Sequence, residues 1–375
     1  MTVFVERCAL GPEQGMRVAI KDSIDVAGMA TRMGSAAFDN AAPAARHADV
    51  VERLLDAGCR IVGKTVLHEF AFGVSGINPA CGTPRNHRYP NRIPGGSSSG
   101  SAVAVAAGEA DIALGTDTGG SVRQPAACCG VYGFKPSFGR VSRHGVWPSA
   151  TSLDCVGVFA STLELLERAT AIVDPRFEAQ AFDGELRIGL VAVEADAAIA
   201  GAVRDYVTAS GCSAGEVELQ LLDAAFEAGL AIINAETWNA FGACLETGRV
   251  GADVAERLKR AAETSPQAVA DAERVRQAFG EQLDALLERF SVLALPTLPS
   301  FPLMLDEALA GKTDLRSTAL VRPFNLSGHP ALSIPLDIDG RPAGLQLVAR
   351  RGDDARLLAA ARELERLVAI NDNND

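Results

Sequence analysis

The 375-residue chain predicts an α/β fold with an at least partly parallel sheet, and three adjoining stretches carry that prediction. Residues 16–26, reading MRVAIKDSIDV, alternate in polarity and are rich in β-branched side chains, the mark of a strand ending near Lys21. Residues 47–58 place Val50, Val51, Leu54 and Leu55 on one helical stripe and finish at Gly58, a residue suited to the position just past a helix end. Residues 59–64, CRIVGK, read as a second strand. Strand, helix and strand in that order form a crossover unit whose two strands run parallel.

Composition bounds what such a fold does. With 48% hydrophobic and 22% charged residues, the chain has ample material for a core. A net charge of −12 argues against nucleic-acid or anionic-membrane binding as the main role, since either favours a basic face. The first fifteen residues lack a basic segment followed by a long apolar one, and no stretch has eighteen uninterrupted apolar residues, so a cytoplasmic protein is expected. The eight cysteines show no paired C-x-x-C spacing and read as small buried apolar residues. Cys128 and Cys129, taken as neighbours on a strand, would point to opposite faces and pack there. No metal constellation and no phosphate-binding Gly-x-x-x-x-Gly-Lys-[Ser/Thr] pattern is present, so neither a metal nor another cofactor is expected.

Residues 92–136 form the most informative stretch. Two turns, Gly95-Gly96-Ser97-Ser98-Ser99-Gly100 and Gly119-Gly120-Ser121, flank an alanine- and valine-rich segment nearly free of charge. A flexible linker would not lead into a dozen apolar residues and then repeat a Gly-Gly-Ser turn; glycines so placed mark backbone at positive φ or in close approach to a neighbour. A helix is expected over 99–108 and a strand at 113–115, where Thr116, Asp117 and Thr118 interrupt the apolar run before the second turn. Residues 139–147 read as a loop. Helical patterns dominate 161–290, clearest at 163–173 and 271–290, with a strand at 186–191 between them. The charged run 252–260 reads as a solvated helix face. Strands return at 292–296, 331–336 and 344–348, and an amphipathic helix over 353–367 closes the chain. No internal repeat and no polar linker divides it, so residues 1–375 are expected to form one domain.

Ser97 and Ser121 each directly follow a Gly-Gly pair, and Lys21 lies upstream in Val18-Ala19-Ile20-Lys21-Asp22. With these residues the chain resembles the amidase signature family from Arg17 to Glu365. Two weaker segments join the resemblance: residues 152–158, with Val158 where proline is usual, and residues 325–333, matching Asn-x-x-Gly-x-Pro. The resemblance implies a single domain with a central mixed β-sheet covered by α-helices on both faces. It also implies a Ser–cis-Ser–Lys triad of Ser121, Ser97 and Lys21. Lys21 comes earlier in the chain than is usual, so the N-terminal helices that relatives use for dimer contacts or site cover are not expected, which leaves a homodimer and the access route open.

The chemistry asked of these residues is specific. A serine hydroxyl attacks an amide only when a neighbouring base removes its proton. None of the five histidines lies in a Gly-x-Ser-x-Gly pattern, although a triad is defined by geometry and not by chain order. A lysine base must be neutral, yet lysine ordinarily titrates at about 10.4, so working near neutrality needs a depression of roughly 3 pH units, about 4 kcal/mol, which burial can supply. As the resemblance implies, Ser97 relays the proton from Ser121 to Lys21 and later to the leaving amine, and the backbone amides of Thr118, Gly119, Gly120 and Ser121 receive the developing oxyanion. Ser98, Asp117 and Arg123 are read as braces of this loop.

Arg140, His144 and Trp147 are candidates to line the substrate pocket, Arg140 by gripping a carboxylate. The expected function is hydrolysis of a small-molecule carboxamide through an acyl-serine, releasing ammonia or an amine. The catalytic subunit of a tRNA-dependent amidotransferase, an esterase or carbamoyl hydrolase on the same triad, and a non-catalytic scaffold are the alternatives; intact Lys21, Ser97 and Ser121 speak against the last.

Overall fold

Two-residue alternation sets the architecture. Val18 and Ile20 point into one hydrophobic cluster while Ala19 between them points into another, and Ile112 and Leu114 part from Ala113 in the same way. A sheet with both faces apolar must be covered on both. In the computed structural model, which describes residues 2–314 and 316–372, the strands are β1 (Phe4–Leu10), β2 (Arg17–Lys21), β3 (Arg60–Thr65), β4 (Ile112–Asp117), β5 (Tyr132–Lys135), β6 (Cys155–Ala160), β7 (Arg187–Val191), β8 (Ser213–Val217), β9 (Val292–Pro296), β10 (Ala331–Ile338) and β11 (Arg341–Val348). All belong to one sheet in the order β1-β3-β2-β4-β6-β5-β10-β11-β9-β7-β8.

The sheet is mixed. β3, β2 and β4 run parallel, as the crossover unit requires; the centre from β4 to β9 pairs antiparallel; β9, β7 and β8 are parallel again. One face is covered by the helices Asp49–Asp56, Leu163–Val173 and Ala197–Ala209 and by the C-terminal helix Asp354–Asp372, which share a cluster with Ile20, Leu114, Leu332 and Leu347. Ser99–Ala106 covers the other face over β2, β3 and β4, Arg123–Cys129 covers it over the antiparallel β5, β10 and β11, and Leu222–Phe241 and Pro266–Leu287 cover it further along. Among the described residues, no helix is long and apolar enough to cross a membrane.

Several expectations change on contact with the fold. β1 is an edge strand paired antiparallel to β3, in a segment where the sequence predicted none. The polar trio at 116–118 does not end β4, which runs on through Asp117 because both Thr116 and Asp117 find buried polar partners. Cys128 and Cys129 lie on a helix, not a strand, and both are fully buried. The charged run at 252–260 is not simply solvated: in the helix Ala252–Ala261, Val254, Leu258 and Ala261 are buried, and Arg257 Nη1 donates to the Phe72 carbonyl at 3.3 Å.

Lys21 ends β2 and Asp117 ends its parallel neighbour β4. Carboxyl ends of parallel strands are where α/β sheets hold ligands, because the loops that follow converge there. Beneath them, Gly115 makes room for a ring: a Cβ there would stand 2.8 Å from Phe159 Cε2. Phe159 is completely buried on β6. Phe159→Ala is therefore expected to lower unfolding free energy by about 3–5 kcal/mol, read from the urea midpoint; a loss below about 1 kcal/mol would mean that this contact is unimportant.

Candidate active site

Three loops meet at the ends of β2 and β4. Lys21 is fully buried, and its Nζ donates to Ser97 Oγ at 2.8 Å and to Thr116 Oγ1 at 2.7 Å, with the Thr116 carbonyl at 3.5 Å. Its partners are thus neutral oxygens. Burial, the largest influence, pushes the ammonium down to about 7, against the opposing pull of the Asp154 and Asp117 carboxylates. Two other lysines are fully buried, but Lys64 pairs with Asp22 at 2.8 Å and Lys135 donates to the Pro136 carbonyl. Neither touches a serine of the glycine turns.

Ser97 is buried and follows a cis peptide bond from Gly96. Its carbonyl accepts from the His68 amide at 3.0 Å. The turn is packed closely against backbone: a Cβ at Gly96 would lie 2.8 Å from the Gly76 nitrogen, and one at Gly95 2.9 Å from the Pro125 Cα. Ser98 joins the two turns, its amide donating to the Ser121 carbonyl at 3.3 Å and its hydroxyl to the Thr116 carbonyl at 3.3 Å. Ser121 is 8% exposed where Lys21 and Ser97 are completely enclosed, so of these three it alone is open to an incoming molecule.

The second turn is held by Asp117. Its carboxylate meets Arg123 in a two-point contact, Nε to Oδ2 at 3.0 Å and Nη2 to Oδ1 at 2.9 Å. It also accepts from the amides of Gly120, Val122 and Arg123 and from Asn325 Nδ2 at 2.9 Å. Burial alone would raise this carboxyl, yet the Arg123 charge and these hydrogen bonds outweigh it and hold the group well below the usual carboxylate range. Arg123, also fully buried, reaches Gln346 Oε1 at 2.7 Å and Asn325 Oδ1 at 2.6 Å.

This arrangement corrects the expected set of oxyanion donors. The Gly120 amide is committed to Asp117 Oδ1 at 2.8 Å, and an N–H has one proton to give. The amides of Thr118, Gly119 and Ser121 have no partner among the described residues. Gly120 still matters through its shape, with φ +112° and Val321 Cγ2 standing where a Cβ would need to sit.

The expected pocket residues lie elsewhere. All three Arg140 nitrogens are engaged, Nε with Asp174 at 2.5 Å and the others with the Gly352 and Arg176 carbonyls. Arg140 lines a cavity of about 460 Å³ whose wall holds neither Lys21, Ser97 nor Ser121. His144 is paired with Asp49 at the surface, and Trp147 is 47% exposed with its Nε1 against Asp25. A small cavity of about 30 Å³ does adjoin the nucleophile turn at Thr118, walled by Phe70, Phe72, Ile233, Glu236 and Phe241. Those residues come from a loop and a helix remote in sequence, and no motif announced them.

Thr116, Asp154 and Asn325 are further site residues to which the motifs gave no role. Thr118 Oγ1 donates to Asp154 Oδ1 at 3.0 Å, and Arg143 Nη2 donates to Asp154 Oδ2 at 3.1 Å. The polar interruption at 116–118 was the one available signal for Thr116. Among the histidines His68 comes near, but through its backbone; neither ring nitrogen makes a hydrogen bond, and Nε2 faces Asp253 at 3.6 Å.

Comparison with known proteins agrees with the fold and motifs. The Amidase family model matches residues 6–358. The chain is 36% identical over 409 residues to a glutamyl-tRNA(Gln) amidotransferase subunit from Natronomonas pharaonis, covering 94% of this chain and 96% of that protein. It is 33% identical to Amidase 1 of Oryza sativa subsp. japonica, covering 96% of this chain and 94% of that one. A solved amidase structure superposes with a TM-score of 0.86 at 32% identity, over 95% of this chain and 85% of the other. A family model spanning nearly the whole chain, with relatives of this identity and coverage, means that the protein belongs to the amidase signature family of carbon–nitrogen hydrolases.

Proposed function

We propose that the protein is a free-standing amidase that cleaves the C–N bond of a small linear carboxamide through an acyl-Ser121 intermediate. The observation that carries this reading is the contact of a buried Lys21, with its ammonium pushed down to about 7, to the Ser97 hydroxyl at 2.8 Å. Neutral Lys21 takes the Ser97 proton as Ser97 takes that of Ser121, whose Oγ bonds to the amide carbon. The carbonyl oxygen gains the electron pair and is met by the free amides of the nucleophile turn, each such donor being worth about 2.7–4 kcal/mol of barrier. Collapse breaks the C–N bond as Ser97 returns a proton to the nitrogen. Water then attacks the acyl-serine by the same relay and releases the carboxylate. His68 meets the site only through its backbone amide while its ring faces Asp253, which supports a Ser–Lys relay over a histidine base, and the single sheet running through the chain supports one domain.

A second reading, favoured by the names of several relatives, is the catalytic subunit of a tRNA-dependent amidotransferase, which would work with partner subunits and ATP. The two part on one assay. The purified chain alone, without ATP, is expected to release ammonia from a panel of small carboxamides, and Ser121→Ala to abolish that release with its fold intact by circular dichroism. Release only with added partners and ATP would favour the amidotransferase, and a Ser121→Ala rate within tenfold of the parent would remove Ser121 as nucleophile.

Acidity tests the base. Because Lys21 acts neutral and titrates near 7, kcat/KM should fall below that pH, approaching about tenfold per pH unit. A profile flat from pH 8 to pH 5 would contradict a lysine base.

The relay role of Ser97 appears in a ratio. An amine must be protonated to leave, whereas an activated phenolate leaves unaided. Ser97→Ala is thus expected to slow amide hydrolysis at least about tenfold more than hydrolysis of the matching activated ester, the lower edge of what one proton-transfer role supplies. Equal losses would limit Ser97 to activating the nucleophile.

A further inference from the structure

The cavity of about 460 Å³ beside Arg140 runs against the acidic balance of the chain. Four arginines, Arg140, Arg176, Arg276 and Arg351, stand in its wall, and no aspartate or glutamate does. The small cavity at Thr118 has the opposite character, with Asp154 and Glu236 in its wall and no basic residue. The two cavities share no residue. The larger one is built for an anion, and the catalytic one is not.

The acids that answer these arginines are stretched thin. Asp174 serves both Arg140 and Arg176, Glu273 stands 3.4 Å from Arg276, and Asp284 is shared by Arg351 and His329. Arg140 has a protein partner on each nitrogen. The other three do not. Arg176 places Nη2 on the Gly139 and Arg140 carbonyls, Arg276 places Nη2 on Ser152 Oγ at 2.9 Å, and Arg351 places Nη2 on Asp284 at 3.0 Å. In each of the three, Nη1 makes no hydrogen bond among the described residues, and the Arg276 Nε is buried without one. Ser327 belongs to the same wall; it is 5% exposed, and its hydroxyl is enclosed with no partner. Buried hydroxyls ordinarily have one. This one lacks it where three guanidiniums also have N–H groups to spare.

We infer that this cavity binds a small phosphomonoester, at a site separate from the catalytic residues. A carboxylate presents two oxygens and suits one guanidinium fork. A phosphate monoester carries a charge of about −1.5 to −2 and three strong acceptor oxygens, which suits three guanidiniums that each keep Nη1 free. The cavity exceeds what a phosphate group alone would fill and falls within the range of about 300–1,000 Å³ usual for small-molecule sites. Phe138, 44% exposed and in the same wall, offers an apolar face to the organic part of the ester. Asn325 belongs to this wall and also donates to Asp117, so the bound ester would lie beside the brace of the nucleophile turn and not at the triad. Binding there does not depend on amide hydrolysis.

Calorimetry on the full chain, in phosphate-free buffer at low salt, compares phenyl phosphate with inorganic phosphate and with benzoate. Phenyl phosphate is expected to saturate one site with Kd below about 1 mM, and to bind at least about tenfold more tightly than either of the others. Arg276→Gln and Arg351→Gln should each weaken it at least about tenfold, the scale of one charged hydrogen-bonded contact. Arg316→Gln removes an equally exposed arginine that pairs with Asp223 outside this cavity, and should leave the affinity unchanged. No saturable binding of phenyl phosphate by the parent overturns the inference, as does benzoate or inorganic phosphate binding equally well. So does unchanged affinity in Arg276→Gln and Arg351→Gln that are folded by circular dichroism, or an equal loss in Arg316→Gln. Should the cavity variants not fold, labelling of the parent with phenylglyoxal reads the same contacts. Phenyl phosphate is then expected to protect Arg276 and Arg351 but not Arg316, and equal labelling of all three with and without the ester overturns the site.

Discussion

The buried pair of Asp117 and Arg123 is the contact on which the site depends. Its carboxylate ends β4, collects three amides of the following turn, and so fixes the backbone on both sides of Ser121. Its guanidinium spans to Asn325 and to Gln346 on β11, strands apart from β4 in the sheet. A two-point ion pair in a dry interior is stabilising only when its remaining donors and acceptors are satisfied. Here they are met by groups from three separate parts of the chain. The turn is therefore rigid because the whole centre of the sheet holds it, and a rigid turn keeps amides pointed at a fixed spot before any substrate arrives.

The same interior that strengthens this pair weakens the charge on Lys21. The difference between Lys21 and Lys64 lies in their partners, since both are fully buried at the ends of adjacent strands. Lys64 sits on a carboxylate and two neutral oxygens, and the Asp22 carboxylate opposes the lowering that burial imposes on its ammonium. Lys21 sits on hydroxyls, with Asp117 and Asp154 acting only from a distance and already answered by Arg123 and Arg143. By supplying those acids with their own arginines, the fold leaves the lysine short of compensation and its neutral form accessible.

Glycine makes the close approach of these parts feasible. Gly95 and Gly96 let the first turn lie against the helix Arg123–Cys129 and the loop at Gly76, and Gly119 and Gly120 admit Ile233, Arg322 and Val321 to the second. The two turns are joined by Ser98, so displacement of one is carried to the other. The cavity at Thr118 is walled by Phe70 and Phe72 from the loop after β3, by Ile233, Glu236 and Phe241 from the helix Leu222–Phe241, and by Thr151 and Asp154, so side chains remote from the glycine turns in sequence shape the space beside them.

The sequence by itself determined the elements with strong periodicity, such as β2, the helix Asp49–Asp56 and the helix Leu163–Val173. It also drew attention to Ser97 and Ser121 through their glycine turns, whereas Lys21, on its residues alone an ordinary strand-end charge, stood out only through the family resemblance. Short or exposed strands left none: β5 has four residues and β8 is mostly solvent-facing, so neither carries enough alternation to be read. Only the tertiary structure decided which groups pair across distance. It placed Lys21 on Ser97, 76 positions away, committed the Gly120 amide to Asp117, and took Arg140 to Asp174. Charge pairing depends on distances of a few ångströms through a low-dielectric interior. Periodicity specifies which face a residue occupies but not which neighbour it meets there, so the acids and arginines around the site were assigned only by the fold.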